Sequence, residues 1–321
     1  MPTILLTNNY PIDVLDIVKH LVPDGFELNS LSSNTEEELL RKAVSADYFI
    51  VSGRLKISDR LLEVAKRLKM IQRTGVGIDQ IDKQSLDKRE IPLYVNHGVN
   101  SFDVAEHTLM LILATSRKLF EANTNTKIGK WNKQSFGITT NSIRGKTIGM
   151  IGFGIIAQHL AHLLRPFNVN IICSKRVPLT EDEEFKSNVK CVELNNLFQT
   201  SDIICLMTSL NDNTINIINS DSISRMKAGV IIINTARGKL INEKDLINGL
   251  KTGQVKAAGL DVFIEEPVSG NNELLSLDNV IVSPHISGIT AESFGEMYIK
   301  AFKNIQHFEN GELAAIEHLK V

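Results

Sequence analysis

The chain has 321 residues, 43% of them hydrophobic and 22% charged, the proportions of an ordinary soluble globular protein with enough length for two cored domains. Its 35 basic and 37 acidic residues leave a net charge of −2, with no basic excess to hold nucleic acid or an anionic membrane. No apolar run approaches the roughly 20 residues needed to span a bilayer.

The opening "MPTILLTNNYPIDV" places an apolar strand at the very start with no charged region ahead of it, so it is expected to be a first strand and not a signal peptide. "YFIVS", "KMIQRT" and "PLYVN" follow before residue 100 as further β-branched runs separated by helix-length segments. "SFDVAEHTLMLILATSRKL" then reads as a long, mostly buried helix, with Asp103 and Glu106 spaced as a capping box. Behind it lies a polar arm, Glu121 to Asn141, that holds the only tryptophan, Trp131. A large aromatic on a polar segment is a common interface anchor, so Trp131 is expected to pack on a second copy of the chain, the alternative being that it folds back on its own domain.

Six more strands are expected after residue 145: "KTIGMIG", "VNIICS", "DIICLM", "GVIIINT", "AAGLDVF" and "NVIVSP". Strands alternating with helices predict a parallel α/β architecture. Phe294, Met297, Ala301, Ile305 and Phe308 fall at helical spacing with Gly311 closing the run, and this last helix is expected to return to the first domain. The predicted division is a discontinuous domain of residues 1–100 and 287–321, and a second of residues 101–286 that includes an arm at about 119–145. Cys173, Cys191 and Cys205 are odd in number and widely spaced, which favours reduced thiols in a cytoplasmic protein over a disulfide framework. No metal site is expected: His159 and His162 lie three apart on one helix without a third ligand, and His107 and the other histidines outside position 285 show no ligand spacing.

"TIGMIGFGIIAQHLAHLL" is a strand, a glycine turn and a helix in succession. Gly152 permits the tight turn, Gly154 lets backbone approach a pyrophosphate, and Ala157 still allows close helix–strand packing. The amides of Ile155 and Ile156 would point at the phosphates, where the helix dipole favours negative charge. Past the next strand an NAD site would carry an acidic residue for the ribose hydroxyls. Here Ser174, Lys175 and Arg176 stand instead, two cations and a hydroxyl suited to a 2′-phosphate, so NADP(H) is expected to be preferred over NAD(H).

Three later strand ends carry charge. Arg237 follows "GVIIINTA", Glu266 closes "GLDVFIEE" before Pro267, and His285 follows Pro284 in "VIVSPHISG". In an open parallel sheet such ends face the ligand crevice. Arginine, glutamate and histidine at three strand ends are placed to converge on one small cavity beside a nicotinamide. Histidine is the side chain suited to exchange a proton near neutrality, a carboxylate beside it favours the charged imidazolium, and an arginine is a fixed cation aimed into the crevice.

The stretches "RTGVGIDQID", "VNSFDVAEHT", "RGKTIGMIGFGIIA", "INTARG", "GLDVFIEEP" and "SPHISG" stand in an order that resembles the D-isomer-specific 2-hydroxyacid dehydrogenase family over nearly the whole chain. The resemblance implies two doubly wound parallel-sheet domains, a Rossmann-type cofactor domain and a flavodoxin-like substrate domain; the homodimer is expected from Trp131. It implies that His285 is the acid/base, Glu266 its partner and Arg237 the substrate clamp. Asp261, Thr235 and Ala236 would lie near the nicotinamide amide, with Thr108, Thr208 and Thr214 also in the cofactor set. Val76 and Gly77 amides, with Arg54, would serve the substrate.

The chain departs from the family at Ser209, where proline is usual, at Met207, where many members have histidine, and at Ser52, where enzymes acting on 3-phosphoglycerate commonly have arginine. Those at Ser209 and Met207 bear on cofactor-ribose contacts; the one at Ser52, with no tyrosine in "SGRLKIS" where the D-lactate branch typically has one, leaves by elimination a small 2-oxo acid, glyoxylate or hydroxypyruvate, reduced by NADPH. A phosphoglycerate dehydrogenase-like enzyme and a dinucleotide-sensing, corepressor-like binding protein stay open as alternatives.

Overall fold

A computed structural model describes residues 1–51 and 56–316. Two compact units partition the described residues: Met1–Asn100 with Ile289–Val321, and Ser101–Gly288.

The first unit is built on a sheet of β1 (Thr3–Asn9), β2 (Glu27–Leu31), β3 (Tyr48–Val51), β4 (Met70–Arg73) and β5 (Leu93–Val95), in the order β2-β1-β3-β4-β5. Every pairing is parallel, with Leu5 opposite Phe49, Phe49 opposite Ile71 and Ile71 opposite Leu93. This is the flavodoxin-like order. Leu5, Phe49 and Ile71 feed the core on one face, and Ile4, Tyr48 and Met70 feed the other. On that second face lies the Ala291–Glu309 helix, through Tyr298, Ala301, Phe302 and Ile305. A buried amide chain fixes it there: Asn304 donates to Gln72 (3.0 Å), Gln72 to Asn96 (3.0 Å), and Asn96 to the Met297 carbonyl (2.8 Å). Such groups are costly to bury unless each finds a partner, so they specify one seat for the helix.

The second unit carries β6 (Thr147–Ile151), β7 (Asn170–Ser174), β8 (Lys190–Cys191), β9 (Ile203–Leu206), β10 (Val230–Asn234), β11 (Val255–Leu260) and β12 (Val280–Val282), all parallel, in the order β12-β11-β10-β9-β6-β7-β8. That is the Rossmann order with a seventh strand added, so both expected parallel sheets are present. Four of β10's five residues are aliphatic and all five are buried; each isoleucine contributes up to about 1.5–3 kcal/mol relative to exposure. Gly259 in β11 brings the Ser101–Ser116 helix down onto the sheet: a Cβ there would lie 3.2 Å from both Leu111 Cβ and Thr115 Oγ1.

Three local expectations change. Two strands were not anticipated, β2 and β8, and both are edges: β2 is polar and half-exposed, and β8 has only two residues, so neither presents the apolar run that reveals a central strand. Asp103 is not the N-cap, because the helix already begins at Ser101 and Asp103 sits within its first turn. The polar arm is helical in two pieces, Leu119–Lys127 and Lys133–Thr139. Trp131, between them, is 78% exposed and does not fold back on its own domain.

All three cysteines are free, and burial pushes the Cys173 thiol up to about 12. Among the described residues no helix is long and apolar enough to cross a membrane, and no cluster of three or more His, Cys, Asp or Glu side chains could hold a metal ion.

Candidate active site

Strand order in the second sheet reverses between β6 and β9, and this switch point is where an open α/β sheet offers a ligand crevice. Gly152 turns the chain there at φ +94°, and a Cβ on it would sit 2.5 Å from the Met207 carbonyl oxygen and 3.0 Å from Thr208 Cα. Any other residue would therefore be both strained and overlapping. Gly154 has the opposite character: nothing lies within 4 Å of its Cβ position, and it starts the Ile155–Leu164 helix without a side-chain cap. An open backbone surface backed by helix amides fits a dinucleotide pyrophosphate. Ser174 ends β7 beside this turn, its carbonyl accepting the Gly152 amide at 2.8 Å; Lys175 follows half-buried and Arg176 exposed.

The charged residues follow three strands that are neighbours in the sheet, β10, β11 and β12. Asn234, buried at the end of β10, shapes the first turn by accepting the Ala236 amide (3.0 Å) and donating to the Arg237 carbonyl (2.9 Å). Arg237 itself donates to the Ala236 carbonyl at 2.7 Å. Gly238 then packs flat on the backbone of Phe263 and Ile264, where a Cβ would overlap the Phe263 carbonyl. The Phe263 amide in turn donates to Glu266 Oε1 at 2.8 Å. The other oxygen of Glu266 meets His285: Nδ1 lies 2.8 Å from Oε2, with the carboxylate side chain 14% exposed and the imidazole 37%. An ionised carboxylate can only accept, so the proton in this contact resides on Nδ1. A partner that is itself held by the Phe263 amide thus fixes one nitrogen, and Nε2 is the nitrogen able to exchange a proton with a ligand.

Other residues from the cofactor set have internal partners. Thr108 is fully buried; its hydroxyl donates to the Val104 carbonyl (2.7 Å), so it accepts from Thr235 (2.8 Å). Thr214 closes its own loop, donating to the Ser209 carbonyl at 2.8 Å. Asp261 has no exposed surface, and both its oxygens hold the segment that carries His285. Val76 and Gly77 belong to the first unit, in a loop braced by Arg73, whose Nε donates to the Gly77 carbonyl at 2.8 Å. Arg54 lies outside the described residues. Sequence reasoning missed Asn234, Gly238, Ser283 and His107; an asparagine two residues before a turn amide is the one local signal among them.

A sequence profile for the D-isomer specific 2-hydroxyacid dehydrogenase NAD binding domain matches residues 109–287, more than half of the chain. The chain belongs to the D-isomer specific 2-hydroxyacid dehydrogenase family. Among its relatives in that family is a hydroxypyruvate reductase of Thermotoga maritima, 38% identical over 87% of this chain and 90% of that protein. A D-3-phosphoglycerate dehydrogenase of Archaeoglobus fulgidus is 34% identical over 87% of this chain, which spans about half (52%) of that protein's length. Of solved structures, the D-lactate dehydrogenase of Aquifex aeolicus complexed with NAD and lactic acid superposes with a TM-score of 0.88 at 27% identity, covering 98% of this chain and 97% of that one. The glycine turn therefore belongs to the family's NAD-binding domain.

Proposed function

We propose that this protein is a cytoplasmic, homodimeric reductase that converts a small 2-oxo acid, glyoxylate or hydroxypyruvate, to the D-2-hydroxy acid with NADPH. The reading rests above all on the 2.8 Å contact of His285 Nδ1 with Glu266, set one strand away from the turn that carries Arg237. A nicotinamide dinucleotide held at the Gly152–Gly154 turn and the Ile155 and Ile156 amides would supply the hydride. His285, protonated on both nitrogens, gives the Nε2 proton to the carbonyl oxygen while Nδ1–H stays with Glu266, and in the oxidative direction the neutral imidazole takes that proton back. Arg237 is permanently cationic; it polarises the carbonyl and holds the substrate carboxylate. Ser174, Lys175 and Arg176 favour the 2′-phosphate. Three unpaired thiols support a reducing compartment. Trp131, Ile128 and Ile138, at 78%, 63% and 88% exposure, support an interface with a second copy.

Reduction of phosphohydroxypyruvate is a second reading, favoured by identity to the Archaeoglobus protein. One experiment separates them: NADPH and NADH oxidation followed with glyoxylate, hydroxypyruvate, pyruvate and phosphohydroxypyruvate. Turnover above about 1 s⁻¹, an ordinary enzyme rate, with a non-phosphorylated acid supports the proposal. Preference for the phosphorylated acid supports the second reading, and tight cofactor binding without any turnover indicates a sensor.

A further inference from the structure

His285 has a left-handed backbone, φ +58°, a conformation that is strained for a non-glycine residue and persists only when its surroundings impose it. The imposing group is Asp261. Its Oδ1 accepts the Ser283 hydroxyl at 2.6 Å and the Ile286 amide at 2.9 Å, and its Oδ2 accepts the Ser287 amide at 2.8 Å. These donors lie on both sides of His285, so one buried carboxylate clamps the chain before and after the strained residue.

The clamp has a second anchor that no motif signals. His107, on the Ser101–Ser116 helix, brings Nε2 to 3.1 Å from Ser283 Oγ and 3.8 Å from Asp261 Oδ1, with its side chain only 13% exposed. A serine hydroxyl has one proton, and the short contact with an ionised oxygen commits that proton to Asp261. Ser283 can then only accept from the imidazole. Nε2 of His107 must therefore carry a hydrogen.

We infer that His107 is a positioning residue: its Nε2–H, acting through Ser283 and Asp261, holds the left-handed turn that keeps His285 in register with Glu266. This deepens the proposed function and rests on His285 being the proton donor. The contacts of the His107 imidazole are with Ser283 and Asp261, one step removed from His285. Its influence passes through the Ser283 hydroxyl and the Asp261 carboxylate, so losing it leaves Ser283 held by Asp261 alone and weakens one side of the clamp.

The test compares His107→Leu, His107→Gln, Ser283→Ala and the double variant His107→Leu/Ser283→Ala. One hydrogen bond is worth about 0.5–1.5 kcal/mol, so His107→Leu should lower kcat about two- to tenfold, with the cofactor Kd and the 2-oxo acid KM within about twofold. Glutamine, which presents an amide N–H, should restore most of the rate, and the double variant should be no slower than Ser283→Ala because both changes break one relay. A readout independent of turnover is amide exchange at Ile286 and Ser287, faster in His107→Leu and restored in His107→Gln. Unchanged kcat and exchange in His107→Leu, no rescue by glutamine, or multiplicative effects in the double variant would each overturn the positioning role. If His107→Leu does not fold, ¹⁵N spectra of labelled histidine in the unmodified protein decide: an Nδ1–H tautomer at His107 overturns the relay, and an Nε2–H form supports it. Failure of the unmodified protein to turn over any 2-oxo acid sinks the proposed function instead, while exchange and tautomer still report on the relay.

Discussion

Gly238 lies against the Phe263 carbonyl so closely that no side chain fits between them. Since Arg237 precedes that glycine and Phe263 donates its amide to Glu266, this one contact joins the turn of the guanidinium to the turn of the carboxylate. Gly238→Ala must push the two apart. It is expected to cost about 1–3 kcal/mol, the range for overpacking, and to lower kcat/KM for the 2-oxo acid by more than it lowers cofactor affinity. Gly295→Ala is the contrasting case: nothing lies within 4 Å of its Cβ position in the Ala291–Glu309 helix, so alanine should stabilise by about 0.5–1 kcal/mol in urea unfolding.

Ser174→Asp places a carboxylate at the end of β7, beside the glycine turn. An acidic group there accepts ribose hydroxyls and repels a 2′-phosphate. The ratio of kcat/KM for NADPH to that for NADH should fall at least tenfold in the variant. Equal values for both cofactors in the unmodified protein would remove the basis of the NADP assignment.

Trp131→Asp puts a charge where an exposed indole is proposed to meet a second copy. The expected outcome is a shift from dimer to monomer in sedimentation velocity at micromolar protein. A monomer before the substitution would refute the interface.

Glu38 gives the first unit an acid-sensitive anchor. The Ser33 hydroxyl (2.6 Å), the Ser32 amide and hydroxyl (2.9 and 2.7 Å) and the Ser33 amide (2.6 Å) all donate to its carboxylate. They lower its pKa from 4.5 to about 2, the Ser33 hydroxyl most of all. A depressed folded-state value means that the stabilisation is complete above the ordinary carboxyl range and is lost as pH falls from about 4.5 toward about 2. Glu38→Gln should therefore unfold at lower urea than the unmodified protein at pH 7, and the two should converge as pH approaches 2. Ser33→Ala should leave the onset of acid loss in place and raise the pH at which the loss is complete, so that less stability is lost in all.

Much of the fold was legible because central strands of a parallel sheet are buried on both faces. The four aliphatics before Asn234 have no other plausible seat. The edges β2 and β8 were not legible, since a strand with one free side needs no apolar run. Among the site residues, Gly152, Arg237, Glu266 and His285 announce themselves at strand ends or in a glycine turn. His107 does not, because a histidine on an apolar helix reads the same whether it is packed or engaged.

The sequence by itself determined the succession of central strands, the dinucleotide turn and the identity of the charged groups, all of which follow from periodicity and from residues whose chemistry is local. Only the tertiary structure decided which atoms meet: the 2.8 Å pair of His285 with Glu266, Gly238 on the Phe263 backbone, and Asp261 beneath the left-handed turn. Those contacts join residues brought together by strand order, and hydrogen-bond geometry exists only once β10, β11 and β12 lie side by side.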